Sequence, residues 1–170
     1  MISDRLVTAV NKQINMELNA SYLYLSMSAH CSTCNFPGMA HWFRMQSEEE
    51  LDHARRLYDY VVDLGGRVEL FSIDMPKQEF DSFLEVFQSA FAHEQKVSAA
   101  INELYELAFQ EKAFATQAQL QWFLLEQIEE EKTLRHLVTR LKAVGSDQPA
   151  LLDFDKDLGE RSAAEEAPAT

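Results

Sequence analysis

Glycine and proline are missing from three long stretches of this sequence, residues 1–36, 39–64 and 77–144. These two residue types are the strongest breakers of a regular backbone. The chain has 5 Gly and 4 Pro in 170 residues, well below the ~12% of an average protein. They fall at Pro37-Gly38, Gly65-Gly66, Pro76, Gly145, Pro149, Gly159 and Pro168. Long unbroken stretches with few β-branched residues read as long helices. The third stretch would span about 100 Å as one helix, too long for a chain of this size. Its apolar phase also changes. A stripe of Phe87, Phe91, Val97, Ile101, Leu104 and Ala108 is out of register with Leu120, Phe123, Leu134, Leu137 and Leu141. A break is therefore expected near 112–116, where Thr116 and Gln119 can form a capping box.

The expected elements are helices over 4–33, 37–64, 82–111 and 116–144, a loop over 65–81, and a short fifth helix over 149–160. Short turns make antiparallel hairpins, and the long connection can cross the bundle from end to end. The fold class is all-α: an antiparallel four-helix bundle with one long crossover and a short fifth C-terminal helix. Residues 1–160 are read as one domain and residues 161–170 as a disordered acidic tail.

With 15 basic and 28 acidic residues, the net charge is −13. That sign argues against nucleic acid, whose phosphates need a basic face, and suits cations. At 46% hydrophobic residues the chain can bury a core. Apolar runs are too short to span a membrane, and residues 1–11 lack the pattern of a secretory signal. Cytoplasm is the expected location. Cys31 and Cys34 have Cys-x-x-Cys spacing, which allows a redox pair or half a zinc site with His30 and His41. Two reduced cysteines near a helix end are the simpler reading.

The chemistry shows where polar residues interrupt apolar stripes. Glu17 lies among Val10, Ile14 and Tyr24, and Glu50 and His53 lie between Phe43 and Leu57. Glu94 follows Phe91, and Gln127 and Glu130 lie between Phe123 and Leu134. A buried carboxylate is costly unless paired or bound to metal. Four helices share this defect. Glu17 to Glu50 and Glu94 to Gln127 are both 33 residues, and the two halves are related by a constant 77 (17→94, 50→127, 53→130). Antiparallel hairpins bring all six side chains to mid-bundle. Carboxylates with one imidazole suit Fe(II) or Mn(II), and would also accept Zn(II). Two metals bridged by carboxylates account for so many acids in one core. Ferritin-like di-metal proteins take one Glu from each of two helices and Glu-x-x-His from each of the others. Here Gln127-x-x-Glu130 replaces the second such motif, so the two sites should differ.

Over residues 1 to about 160 the sequence resembles bacterial non-haem ferritins. The resemblance is carried by Glu17, Tyr24, Glu49-Glu50-Leu51-Asp52-His53, Glu94, Trp122 and Glu126-Gln127-x-Glu129-Glu130. It implies a ferroxidase that oxidises Fe(II) with dioxygen and stores ferric mineral in a hollow homo-oligomeric cage of 24 subunits. Glu17, Glu50 and His53 would hold the first iron, with Glu50 bridging, and Glu94 with Glu130 the second. Gln127 would sit beside the oxygen position, and Tyr24 would be a nearby redox-active phenol. Glu49, Glu126, Glu129 and Glu130 would form a third iron site. Haem-containing relatives carry Met after the bridging Glu and a second histidine ligand; here these are Leu51 and Glu130, so no haem is expected. Gln117 and Leu120 align with the acidic pair that lines the three-fold channel of animal ferritins.

Simpler readings stand beside these. Glu48 and Glu131 read as solvated, and Trp122 as packing. His30, His41, His93 and His136 lack ligand spacing and read as surface or structural. A di-iron oxygenase would ordinarily use more histidine. A structural bundle would leave the matched core acids unexplained.

Overall fold

The computed structural model describes residues 2–162. Five helices follow in order: α1 (Asp4–Thr33), α2 (Pro37–Asp63), α3 (Phe83–Gln110), α4 (Phe114–Val144) and α5 (Gln148–Gly159). There are no strands among the described residues. The expected architecture is observed, with bounds within about two residues of those read from the sequence. Residues 163–170 of the expected tail lie outside the described residues.

The start of α4 differs from expectation. Ala113 occupies its N-cap position and makes no side-chain cap. Thr116 lies one turn further in, buried, and its hydroxyl accepts from Tyr60 OH at 2.7 Å. The proposed capping box does not form, because that hydroxyl is used to join α4 to α2. The break is made instead by Lys112, with φ of 56°. Asn35 turns the first hairpin in the same left-handed conformation, with φ of 63°. Both turns close alike: Phe36 N donates to Cys31 O at 3.0 Å, and Ala113 N to Ala108 O at 2.8 Å. These bonds satisfy carbonyls left free at the helix ends. The 77-residue offset thus extends to the turns (35→112), which sets both hairpins at the same height.

The connection between α2 and α3 runs along α1. Asn11 donates to Arg67 O at 2.9 Å and Asn15 to Ser72 O at 3.1 Å. Asn19 accepts from Asp74 N at 2.9 Å, and Ser26 donates to Lys77 O at 2.7 Å. Ascending positions on α1 meet ascending positions in the loop. The loop therefore returns the chain to the end of the bundle where α1 finished, and α3 descends antiparallel to α1.

α5 seals that end. Asp155 is buried, and its carboxylate accepts from Met39 N at 2.7 Å. It thereby satisfies an amide in the first turn of α2, where negative charge is favoured. The approach requires Gly38, since a Cβ there would lie 1.7 Å from Asp155 O.

The apolar core forms two clusters. One contains Tyr24, Met27, Phe43, Phe87, Leu134 and Phe154. The other contains Leu6, Val10, Leu57, Ile101, Leu120 and Phe123. Along each helix the interrupting polar residues fall between members of the two clusters.

Candidate metal centre

Glu17, Glu50, His53, Glu94, Gln127 and Glu130 are all between 0% and 6% exposed. Each comes from a stripe position, so the helical period that buries its apolar neighbours buries it too. Glu17, Glu50 and His53 each place a ligand atom within 4.8 Å of the other two. His53 Nδ1 lies 3.3 Å from Glu50 Oε2. Among the described residues, both Glu50 oxygens and Glu17 Oε2 have no hydrogen-bond partner. Such orphaned oxygens are costly in a protein interior. A divalent cation would satisfy them, and the hard oxygen donors with one imidazole fit Fe(II).

The other carboxylates are held from one side. Gln13 Nε2 donates to Glu17 Oε1 at 2.7 Å, and Gln46 Nε2 to Glu130 Oε2 at 3.0 Å. Glu94 accepts a hydrogen bond from Tyr24 OH on one oxygen. Its other oxygen accepts from Gln127 Nε2 at 3.0 Å. Tyr24 packs its ring against Phe43 at 6.1 Å and His93 at 6.3 Å.

Burial raises the proton affinity of all four acids, most strongly at Glu50 and Glu130. Mutual repulsion adds to it: Glu94 and Glu17 act on Glu50, and Glu49 and Glu94 act on Glu130. The donors Gln13, Tyr24 and Gln127 oppose it at Glu17 and Glu94. Tyr24 is pushed well above the usual phenol range, first by burial and then by Glu94. It is therefore a hydrogen-bond donor at neutral pH. The cluster carries uncompensated negative charge that protons or metal ions can neutralise.

A second group lies beside the first. Glu49, His53 and Glu126 also have ligand atoms within 4.8 Å of one another. Glu129, expected with them, is exposed and pairs with Lys132 at 3.0 Å. The structure thus gathers Glu49 and Glu126 around His53 and leaves Glu129 on the surface. Trp122 stands edge-on to His53 with centroids 5.2 Å apart, and Arg56 lies 4.1 Å over the Trp122 ring.

Gln13, Gln46 and Arg56 were missed in the sequence. Glutamine at a stripe position was a usable signal for the first two. They have no counterparts across the 77-residue offset, where Ala90 and Phe123 stand. Gln117 and Leu120 stand where animal ferritins carry the acidic channel pair, and neither brings a carboxylate there. Leu120 is in the apolar core, and Gln117 is half-buried and donates to Ala108 O at 3.3 Å. Cys31 is buried in the core, with its thiol pushed up to about 12 by burial, and Cys34 is exposed 3.9 Å from His30. Neither cysteine is in a disulfide. His93 is half-buried, and burial lowers its pKa to about 4.

Comparison with known proteins gives the same picture. Residues 7–144 match the Ferritin-like domain family. The bacterial non-haem ferritin of Staphylococcus haemolyticus is 39% identical over 166 residues, covering 98% of this chain and 100% of that protein. Its counterpart in Staphylococcus aureus is 37% identical over the same length. An open-pore ferritin from the archaeon Archaeoglobus fulgidus superposes with a TM-score of 0.95 at 43% identity, over 95% of this chain and 100% of the other. The fold, the buried acid layer and these relatives agree: the chain belongs to the ferritin family, among the bacterial-type non-haem ferritins.

Proposed function

We propose that this chain is an iron-storage ferritin whose mid-bundle centre is a ferroxidase. Two Fe(II) ions bind as substrate, are oxidised by dioxygen, and pass as ferric product to a mineral core inside a cage of 24 subunits. The observation that carries this reading is Glu50, fully buried with neither oxygen accepting a hydrogen bond among the described residues. A carboxylate in that state is suited to bridging two cations. Glu17 and His53 complete one position. Glu94 and Glu130 supply the other.

Anionic oxygens favour Fe(III) over Fe(II), so this donor set lowers the potential and drives electron loss. A pair of Fe(II) supplies two electrons, enough to take dioxygen to the peroxide level with two protons from solvent. Four electrons and four protons are needed for water. Gln127 and Tyr24 hold Glu94 from opposite oxygens. They fix the second position, beside which dioxygen would bind. Tyr24 is placed to supply an electron, being one hydrogen bond from Glu94. Glu49 and Glu126, beside His53, are the groups through which product leaves or a third iron is held.

Haem is not part of this reading, because Leu51 after Glu50 offers no sulfur ligand. Assembly is supported by the apolar side chains an isolated subunit exposes, including Leu70, Phe71, Ile73 and Met75 of the long loop and Phe109, Phe114, Leu125 and Ile128. Among the described residues no helix is long and apolar enough to cross a membrane, and a cytoplasmic location with no nucleic-acid or membrane partner suits an acidic chain with free cysteines. The test is aerobic Fe(II) addition to the assembled protein and to Glu94→Ala, following ferric absorbance. The wild type should oxidise Fe(II) rapidly and the variant slowly. Equal rates would remove the assignment.

A further inference from the structure

Arg161 lies just past the end of α5, where the sequence suggested only tail. Its Nη2 is 3.0 Å from Glu49 Oε2, and both side chains are largely buried, at 16% and 13% exposure. The guanidinium also lies 4.9 Å over the Trp42 ring and donates to Trp42 O at 3.4 Å. The residue's own carbonyl is 3.0 Å from His41 Nε2. This is an anchored cation. It reaches Glu49 because α5 is docked on the start of α2 through Asp155 and Gly38 and held to α4 by the Arg140–Asp157 pair at 2.6 Å.

Glu49 is also one corner of the Glu49–His53–Glu126 group. One carboxylate therefore serves two cations. A guanidinium paired with a mostly buried carboxylate is held by a charge-assisted hydrogen bond. A metal ion joining the same group meets an acid whose charge is already compensated, and meets the repulsion of a positive neighbour. We propose that Arg161 is the built-in counter-ion of Glu49, and that it competes with a third metal ion held by Glu49 and Glu126 beside His53, whose imidazole serves the first ion. The third position is thereby kept weak, so iron passes through it instead of staying. The inference rests on the ferroxidase reading above and adds to it a residue of the C-terminal segment.

The test uses the assembled protein and Zn(II), which binds without oxidation. Calorimetric titration compares the wild type with Arg161→Gln and Arg161→Lys. The expected result is two tight ions per subunit in all three proteins. The third ion should bind about tenfold more tightly in Arg161→Gln, the scale of one charge-assisted contact. Arg161→Lys should stay near the wild type because it keeps the charge. An unchanged or weaker third ion in Arg161→Gln, with the two tight ions intact, overturns the role of Arg161 alone. Absence of tight ions from the wild type overturns the ferroxidase reading and this proposal with it. A Zn(II)-soaked wild-type crystal gives a check that needs no variant. An ion among Glu49, His53 and Glu126 should be accompanied by Arg161 withdrawn from Glu49. An ion there with the 3.0 Å pair intact would overturn the competition.

Discussion

Gln13 donates to one oxygen of Glu17 at 2.7 Å and leaves the other without a hydrogen-bond partner among the described residues. One turn of α1 separates the two residues, so the helix itself sets their geometry. The amide orients the carboxylate without neutralising it. Gln46 holds Glu130 in the same way from α2. Both glutamines are buried, and neither is a member of the proposed ligand set.

Replacing Gln13 by Leu should therefore leave the fold intact and loosen Glu17. Loss of such a supporting hydrogen bond typically costs about 10–100-fold in metal affinity or activity. Anaerobic Fe(II) binding to Gln13→Leu should weaken on this scale, and Gln13→Glu should not restore it, because it adds charge without a donor. Affinity equal to wild type in Gln13→Leu would show that Glu17 is oriented by packing alone.

The metal-free protein should lose stability as pH rises. Burial holds the proton affinity of Glu50 well above that of an ordinary carboxyl group, so the folded state keeps a proton that the unfolded state has released. Stability from this group is full below about pH 4, the unfolded value, and falls as pH rises toward the folded value, by up to ~1.4 kcal/mol per pH unit. Glu50→Gln removes that proton. Its metal-free melting temperature should exceed the wild type's at neutral pH and show a shallower decline as pH rises above the ordinary carboxyl range. Fe(II) binding releases the same protons, so wild-type affinity should increase with pH. Parallel melting profiles for the two proteins would contradict the burial argument.

Tyr24→Phe removes the O–H donor to Glu94 while keeping the ring among Phe43 and His93. The expected stability loss is modest, about 1 kcal/mol by thermal or chemical denaturation. The second Fe(II) should bind more weakly than the first is affected. If Tyr24 also gives an electron, freeze-quenched wild-type samples should show a phenoxyl radical by electron paramagnetic resonance that the variant lacks. A radical of equal intensity in Tyr24→Phe would move that role elsewhere.

Gly38→Ala should detach α5. The added Cβ would fall 1.7 Å from a backbone oxygen that belongs to Asp155, and backbone cannot yield as a flexible side chain can. The loss should exceed about 3 kcal/mol, as for other severe overpacking with a broken buried hydrogen bond. Amide exchange at Met39 should accelerate, because Asp155 no longer accepts from it. A variant as stable as the wild type, with Met39 still protected, would contradict this account of α5 docking.

The sequence by itself determined the number and order of helices, the crossover and the height of the polar layer. It could do so because these are periodic properties. Gly and Pro mark the ends, and the 3.6-residue repeat says which residues share a face. The constant offset of 77 then placed Glu17, Glu50, His53, Glu94, Gln127 and Glu130 together before any coordinate was known. Tertiary structure decided what lies beside that layer. Gln13 and Gln46 became supports because of which oxygen each reaches, a matter of distance that periodicity does not encode. Lys112 made the second turn through its left-handed backbone, where Thr116 offered a plausible cap but was taken by Tyr60 on another helix. Glu129 went to the surface while its neighbour Glu130 was buried, since one residue turns the helix by about 100°. Arg161 reached Glu49 across 112 residues only because α5 docks on Gly38. Local pattern sets a residue's face and height; which charge meets it there depends on how distant segments pack.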